Sequence, residues 1–239
     1  MRRRFFVEAF EDGAAVMRGE AAHHLGRVLR AQPGQMYELS DGSAAWLARV
    51  DEVTRDTVTF ALVESVQSAA TLLETTLYLA VVKFDSFEWA LEKATELGVT
   101  RVVPLAAARS EKALVAAAVK RAERWRKILL EASQQSRRLR VPELAEVTKP
   151  EAAFPAAGDA LRIMLSEALD ARGLREILAS STSTRQAALA IGPEGGWTDA
   201  EFAAARAAGW TEASMGKLIL RTETAVVAGL ACLNFALNE

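Results

Sequence analysis

The sequence contains little cysteine and little histidine, and it lacks any long apolar run. Cys232 is the single cysteine among 239 residues, so no disulfide can form within the chain, as is typical of a reducing compartment. His23 and His24 have no cysteine or further histidine nearby and do not predict a metal site. No segment approaches a membrane span, and acidic residues from Glu8 onward interrupt a faint twin-arginine signal. We therefore expect a cytoplasmic protein with no membrane segment and no metal, and we expect Cys232 in the core.

The charge of the chain is nearly balanced but unevenly distributed. A formal net charge of −2 counts against nucleic-acid binding by the chain as a whole. Residues 120–140, however, contain eight basic side chains against two acidic ones, and smaller basic clusters occur at Arg2-Arg3-Arg4 and at Arg27 and Arg30. Two interpretations remain open: solvated faces with some ion pairs, or surfaces that contact RNA phosphates.

The first 70 residues are predicted to be mostly β-structure. Asp41-Gly42 is a hairpin-turn signal, and residues 57–64 place Val58, Phe60 and Leu62 on one face. The predicted elements are a helix at 21–30 and strands at 35–40, 43–53 and 57–64.

After a linker at 65–75 the pattern changes to strands that alternate with helices. Such alternation predicts a mainly parallel sheet covered on both faces, with ligands at the carboxyl ends of its strands. The predicted strands are 76–82, 101–105, 161–165 and 187–191. The predicted helices are 86–97, 113–138, 170–180, 198–208 and 225–237.

A glycine-rich loop, Gly192–Gly196, follows the strand at 187–191 and leads into a Thr198/Glu201 capping box. The loop lacks the Gly-Lys-Ser/Thr of a Walker A motif, and its spacing is not that of a dinucleotide fingerprint. Glu194 also places a carboxylate where a phosphate site would exclude one. The loop therefore suits a ligand with cationic or hydrogen-bonding groups, unless it is merely a structural turn.

A second segment, Met215–Ala225, contains another glycine turn and an unusual polar run. Arg221–Thr224 lies between an apolar strand, Leu218–Leu220, and the apolar last helix. Thr222 or Thr224 could cap that helix, but capping does not explain Arg221 beside Glu223. Since Ser166, Gly192 and Gly216 all follow predicted strands, three loops are expected to meet at one site.

Together these motifs resemble the SPOUT class of knotted RNA methyltransferases, and within it the ribosomal small-subunit RNA methyltransferase E family. The resemblance extends over nearly the whole chain and departs from the family pattern at Leu218, where a basic residue is expected, and at 108–111. It rests most on Ile191–Gly196, Met215-Gly216 and Leu220–Ala225. Other matching segments are Arg4-Phe5-Phe6, His23-His24-Leu25, Val28-Leu29-Arg30, Glu92–Val99, Arg109-Ser110 and Gln135-Ser136-Arg137.

The resemblance implies an α/β fold with a small PUA-like β-barrel at 1–70, which helps to bind RNA, and a SPOUT domain with a C-terminal trefoil knot at 71–239. It also implies a homodimer, in agreement with a last helix that is apolar nearly all round. The implied cofactor is S-adenosylmethionine. The implied reaction is methylation at N3 of a uridine in small-subunit ribosomal RNA, either free or in the assembled subunit.

The resemblance and the charge pattern together assign the expected binding residues. Cofactor contacts are expected at Leu165, Ser166, Glu167, Ile191, Gly192, Pro193, Glu194, Gly195, Gly196, Met215, Gly216, Leu218, Ile219, Leu220, Thr224 and Ala225. RNA contacts are expected at Arg2, Arg3, Arg4, Arg27, Arg30, Arg109, Arg137, Arg138 and Arg140.

Arg221 and Glu223 are the predicted catalytic residues. The Arg221 guanidinium can offer two donors to a uracil carbonyl and so stabilise the anion that forms when N3 loses its proton. Glu223 either holds Arg221 in place or accepts that proton. A purely structural Arg221–Glu223 pair at the helix start is the alternative.

Two other classes of protein fit parts of the sequence. A doubly wound nucleotide-binding enzyme would need an acidic ribose ligand and backbone amides facing phosphate. A non-catalytic RNA-binding module could use the N-terminal domain and the basic helix, but it would leave residues 191–225 unexplained.

Overall fold

The computed structural model describes most of the chain, and its described residues form two compact units. Arg2 and the predicted domain boundary after residue 70 lie outside the described residues. Unit 1 contains the described part of residues 1–70 together with Ser133–Val141, and unit 2 contains the remainder. The described residues are 3–67, 73–158, 160–168, 170–181 and 183–237.

Unit 1 is a six-stranded sheet with the strand order β1-β4-β5-β6-β3-β2. All neighbouring strands are antiparallel except β1 and β4, which are parallel. Its core contains apolar side chains from every part of the sheet, including Phe5, Met17, Leu39, Val50 and Phe60. The elements are β1 (Arg4–Phe6), β2 (Phe10–Glu11), β3 (Ala14–Arg18), α1 (Gly19–His23), β4 (Met36–Ser40), β5 (Ala45–Val53) and β6 (Thr57–Ser65).

The helix predicted at 21–30 has a different form in the structure. The α-helical part ends at His23, and His24–Val28 continues as a π-helical turn in which the Leu29 N–H donates to the His24 carbonyl at 3.0 Å. Arg30 then adopts a left-handed conformation with φ 54°. The wider turn buries Leu25 fully while leaving Val28 61% exposed.

A buried carboxylate in unit 1, that of Glu38, binds two arginines. Arg4 donates from Nε at 3.3 Å and from Nη2 at 3.1 Å, and Arg137 donates to both carboxylate oxygens. Burial, and secondarily the charge of Arg137, lower the pKa of Arg4. The Ser40 hydroxyl also donates to the Leu139 carbonyl at 2.8 Å. These bonds incorporate Ser133–Val141 into unit 1, which the sequence did not predict.

Unit 2 is a seven-stranded sheet with the strand order β11-β13-β10-β12-β7-β8-β9, and every pair is parallel. This confirms the predicted parallel sheet. The strands are β7 (Glu74–Ala80), β8 (Arg101–Leu105), β9 (Glu143–Leu144), β10 (Leu161–Leu165), β11 (Arg172–Gly173), β12 (Gln186–Ile191) and β13 (Thr211–Ser214). The helices are α2 (Phe84–Glu96), α3 (Lys112–Gln135), α4 (Pro150–Ala153), α5 (Leu174–Ala179), α6 (Asp199–Ala207) and α7 (Thr222–Leu237).

The central strands of unit 2, β7, β10 and β12, are buried and apolar toward their carboxyl ends, as in a parallel sheet that helices cover on both faces. One core cluster packs Tyr78 and Phe154 around Trp210, with ring centroids 5.1 Å apart in both pairs. The buried residues of α2 include Phe87, Ala90, Leu91 and Ala94. Gly98, predicted to end this helix, follows it with φ 94°, a left-handed conformation that favours glycine. No helix in the described ranges combines the length and the apolarity that crossing a membrane requires.

Several boundary predictions in unit 2 are wrong. The helix predicted at 170–180 begins at Leu174, after the short strand β11. The last helix begins at Thr222 rather than at 225, and Leu218–Leu220 is an exposed loop rather than a strand. Cys232 is exposed rather than buried, because it lies on a face of α7 that the sheet does not cover.

We expect Glu38→Gln to lower the free energy of unfolding by about 3–5 kcal/mol, because it leaves the Arg4 guanidinium buried without its counter-ion. Chemical denaturation followed by circular dichroism measures the change. Glu64→Gln removes an exposed carboxylate from β6 and is the matched control. A loss no larger than that of a surface pair, below about 1 kcal/mol, would contradict the prediction.

Candidate functional site

A cavity of about 260 Å³ lies at the carboxyl ends of β10, β12 and β13. Ligands of parallel sheets bind at this edge, where the loops that follow neighbouring strands meet. The lining comes from the loops after β10, β12 and β13, with Arg109 added from the segment after β8. The lining residues are Arg109, Leu165, Ser166, Glu167, Ala168, Ile191, Gly192, Pro193, Glu194, Gly196, Trp197, Phe202, Met215, Gly216, Leu218, Ile219, Leu220, Thr222 and Ala225.

The glycine-rich loop after β12 is a rigid turn packed on a tryptophan. The Gly196 N–H donates to the Pro193 carbonyl at 2.8 Å, and Gly196 has φ 70°, which favours glycine. A Cβ on Gly192 would come within 3.0 Å of the Trp197 ring. The Trp197 indole is buried and donates from Nε1 to the Leu165 carbonyl at 3.0 Å. Trp197 therefore fixes the β12 loop against the end of β10.

The capping box predicted at Thr198 and Glu201 is confirmed. The Glu201 carboxylate accepts from the Thr198 N–H at 2.8 Å, and the Glu201 N–H donates to the Thr198 hydroxyl at 3.3 Å. The same carboxylate accepts from the Ala108 N–H at 2.8 Å, and Glu201 is fully buried. The cap of α6 thus also positions the segment that carries Arg109.

The third part of the cavity is the segment from Met215 to Ala225. Gly216 has φ 126°, and the Ser214 hydroxyl bonds both its N–H and its carbonyl at 3.2 Å. The Thr222 hydroxyl donates to the Gly192 carbonyl at 3.2 Å, which ties this segment to the glycine-rich loop. Thr222 is therefore a bridge between the two loops and not the predicted N-cap.

Comparison with known proteins shows which family has this architecture. A family model described as an RNA methyltransferase domain matches residues 69–234. A ribosomal RNA small subunit methyltransferase E of Synechocystis sp. is 36% identical over 221 residues, which cover 91% of this chain and 71% of the relative. This chain belongs to the ribosomal RNA small subunit methyltransferase E family.

Solved structures support the same assignment. A ribosomal RNA small subunit methyltransferase E from Neisseria gonorrhoeae, bound to S-adenosyl methionine, matches with a TM-score of 0.89 at 27% identity, over 99% of this chain and 98% of that chain. A protein from Legionella pneumophila described as a methyltransferase, with bound S-adenosylmethionine, gives 0.87 at 26% identity, over 100% and 99%. These matches confirm the predicted α/β fold class, in which a barrel-type N-terminal sheet precedes a SPOUT domain with a parallel sheet. The C-terminal trefoil knot stays a prediction.

Most of the residues that the family resemblance assigned to the cofactor line this one cavity. Gly195 and Thr224 are the exceptions. Arg109, assigned to RNA, also lines it. The sequence analysis missed Ala168, Trp197, Phe202 and Thr222. Trp197 follows the glycine loop directly and could have been found from that position, whereas Phe202 reaches the cavity only because of how α6 packs.

The two predicted catalytic residues do not line the cavity. The Arg221 side chain is exposed, whereas its neighbours Leu220 and Thr222 are both in the lining. No ion pair joins Arg221 to Glu223 among the residues that the structure describes. The alternative of a structural Arg221–Glu223 pair therefore finds no support.

The arginines assigned to RNA fall into different environments. Arg4 is buried against Glu38, so its guanidinium is not available to a phosphate. Arg137 also binds Glu38, and the Arg140 guanidinium donates to the Gly42 carbonyl. Burial lowers the pKa of Arg138 to about 10, and its Nε donates to the Arg140 carbonyl. Arg3, Arg27, Arg30 and Arg109 are exposed.

The described ranges contain no group of three or more histidine, cysteine or acidic residues that could hold a metal ion.

Proposed function

We propose that this protein transfers a methyl group from S-adenosylmethionine to N3 of a uridine in 16S ribosomal RNA, and that it acts in the cytoplasm. The observation that carries the proposal is the cavity at the carboxyl edge of the unit 2 sheet, in a chain of the ribosomal RNA small subunit methyltransferase E family. The similar protein from Neisseria gonorrhoeae was crystallised with S-adenosyl methionine.

The residues present fit this cofactor. Gly192, Gly196 and Gly216 bring the backbone to the cavity without side chains, and Ile191, Leu165 and Leu218 supply an apolar surface. Gly196 in particular leaves an opening that a side chain would fill. Glu194 provides a carboxylate for the cationic parts of the cofactor. When bound, S-adenosylmethionine supplies the electrophilic methyl group.

The chain's own residues have two tasks in the reaction. They must hold the uracil ring so that N3 faces the methyl carbon in line, and they must handle the imide proton and the negative charge that its loss creates. Exposed arginines can bind the RNA backbone, whereas groups inside the cavity act on the base.

Mapping of ribosomal RNA by mass spectrometry in cells with and without this gene tests the proposed function. One uridine of 16S ribosomal RNA should lose a single methyl group in the deletion strain and regain it on complementation. Purified protein should methylate small-subunit RNA or assembled subunits with S-adenosylmethionine. An unchanged methylation map, with no activity in vitro, would reject the function.

We also propose that the protein works as a homodimer that buries the outer face of α7. Phe235 is 88% exposed and Cys232 lies one turn before it. Both line an apolar groove of about 570 Å³ with Leu174 and Leu178 of α5. Leu218 and Ile219, at 84% and 80% exposure, add a second apolar patch. A second copy of the chain would remove this surface from water.

Gly216→Val should weaken S-adenosylmethionine binding roughly five- to a hundredfold, since valine is strained at φ 126° even though nothing lies within 4 Å. Gly195→Val should displace the Arg109 side chain and not block the ligand, because its Cβ would come within 3.3 Å of that side chain. Isothermal titration measures both. Gly158→Val, at φ 65° in an open turn outside the cavity, is the control for strain alone. Unchanged affinity in folded Gly216→Val would remove that loop from the site.

Arg27→Gln combined with Arg30→Gln should lower RNA affinity and reduce the slope of log affinity against log salt by about 0.7–0.9 for each lost phosphate contact. Both side chains are exposed in unit 1. Filter binding across a salt series measures the slope, and cofactor affinity should stay unchanged. Replacing Arg137 and Arg140 would be less informative, because these residues also hold unit 1 together. A slope equal to wild type would favour a solvated basic face.

Arg221→Lys should lower turnover roughly ten- to a thousandfold if Arg221 donates to a uracil carbonyl, because lysine keeps the charge but loses the planar pair of donors. Single-turnover methylation measures this, with RNA and cofactor affinities as controls. Near-normal turnover would exclude Arg221 as a catalytic donor.

Phe235→Glu should convert a dimer into a monomer, because it places a charge at the centre of the apolar face of α7. Sedimentation velocity of both proteins measures the change. Val119→Glu, at a residue on α3 that is 71% exposed, is the control and should leave the dimer intact. A wild-type protein that sediments as a monomer would overturn the proposed dimer.

A further inference from the structure

Two side chains of opposite charge face each other across one end of the cavity. Arg109 comes from the segment after β8, and Glu167 comes from the loop after β10. Both reach toward Gly196. A Cβ built on Gly196 would lie 3.6 Å from Glu167 Oε1 and 3.8 Å from Arg109 Nη1. The missing side chain of Gly196 therefore leaves a gap between a hydrogen-bond acceptor and a hydrogen-bond donor.

The protein holds Arg109 firmly in this position. Its aliphatic carbons lie on Gly195, where a Cβ would come within 3.3 Å of Arg109 Cβ and 3.4 Å of Cδ. Its Nη1 donates to the Gly195 carbonyl at 2.7 Å. The Ala108 N–H just before it is fixed by the buried Glu201 carboxylate. Gly195 does not line the cavity, but the Arg109 side chain packs on it and bonds its carbonyl.

Arg109 and Glu167 both retain free hydrogen-bonding capacity. The bond to Gly195 is the one hydrogen bond of the Arg109 guanidinium among the described residues, so at least one face of the guanidinium fork is unused. No ion pair joins Arg109 to Glu167 or to Glu194 in the described part of the chain. Both side chains are exposed to the cavity opening. Because Gly196 has no side chain to fill the space next to both groups, a planar polar group can approach them there.

We propose that Arg109 and Glu167 bind the imide edge of the target uracil, with Glu167 accepting the N3 proton and Arg109 donating to the adjacent carbonyl oxygen. This proposal rests on the proposed function. An imide edge presents an N–H donor beside a carbonyl acceptor, which is the complement of a carboxylate beside a guanidinium. Both residues are catalytic in the sense that they touch the reacting base.

The step balances with these groups alone. Glu167 takes the proton from N3, and the negative charge spreads over N3 and the carbonyl oxygens, where Arg109 stabilises it. The N3 electron pair then forms the bond to the methyl carbon while the bond from that carbon to sulfur breaks. The electron pair of the broken bond stays on sulfur, which becomes a neutral thioether. Glu167 releases its proton to water, and the product is N3-methyluridine.

The same pair would discriminate uridine from cytidine. Cytosine carries a lone pair at N3 and an amino group at C4, so its edge offers an acceptor toward Glu167 and a donor toward Arg109. Both contacts would then be repulsive or unpaired. Selection against cytidine would therefore come from the groups that carry out the chemistry.

Glu167→Gln and Arg109→Lys, made separately, test the proposal in single-turnover methylation, with enzyme in saturating excess over RNA and with saturating cofactor. Glu167→Gln keeps the shape and loses the proton acceptor, so the rate should fall about a hundredfold or more. Arg109→Lys keeps the charge and loses the fork, so the rate should fall roughly ten- to a thousandfold. Glu151→Gln on α4 and Arg206→Lys on α6, both exposed and outside the cavity, are the matched controls and should retain the wild-type rate.

The pH profile and a more acidic substrate distinguish proton transfer from a loss of structure. The rate of Glu167→Gln should rise about tenfold per pH unit, because ionisation of N3 in solution replaces the missing base; the wild-type profile should be flatter. RNA transcribed with 5-fluorouridine, whose imide is more acidic, should restore a large part of the Glu167→Gln rate. A variant that is merely misfolded would show neither effect.

Two further outcomes would overturn this proposal, and a third would reject the proposed function. If Arg109→Lys keeps its single-turnover rate at saturating enzyme but binds RNA with a reduced salt slope, Arg109 contacts a phosphate and the proposal fails. If the rate of Glu167→Gln returns when S-adenosylmethionine is raised above the concentration that saturates the wild type, Glu167 is a cofactor contact and the proposal also fails. A wild-type protein that makes no N3-methyluridine would instead reject the proposed function itself.

Discussion

The buried carboxylate of Glu201 is the interaction on which the site most depends. It receives the Thr198 N–H and hydroxyl on one oxygen and the Ala108 N–H on the other, each at 2.8 Å. A fully buried carboxylate is stable in a protein interior only when its oxygens are bonded in this way. By satisfying it, the chain joins the start of α6, the end of the glycine-rich loop and the segment that carries Arg109.

A second connection closes the other side of the cavity. Trp197 bonds the end of β10, and Thr222 bonds the Gly192 carbonyl, so the loop after β12 is joined to the end of β10 and to the segment after β13 by side chain to backbone bonds. Such bonds fix loops that would otherwise be the most mobile part of a parallel sheet. A preorganised site of this kind is what methyl transfer requires, because the nucleophile, the methyl carbon and sulfur must be collinear.

Unit 1 uses ionic bonds for a different purpose. Glu38 holds Arg4 from the first strand and also Arg137, which lies 99 residues after Glu38, so charged side chains join distant parts of the chain. Arginines that look like an RNA-binding cluster in the sequence are therefore in part structural. Arg27, within the π-helical turn, and Arg30, two residues after it, are exposed and remain available to RNA.

The sequence by itself determined the parallel sheet, the Thr198–Glu201 cap and the two glycine loops, because each depends on local pattern: apolar strands, a capping pair and backbone conformations that only glycine adopts easily. Family resemblance added the fold and the cofactor. Tertiary structure alone decided that Arg109 reaches the cavity, that Arg4 is buried, that Arg221 lies outside the lining and that Cys232 is exposed. These outcomes depend on which residues from distant segments meet, and neither charge nor periodicity along the chain encodes such contacts.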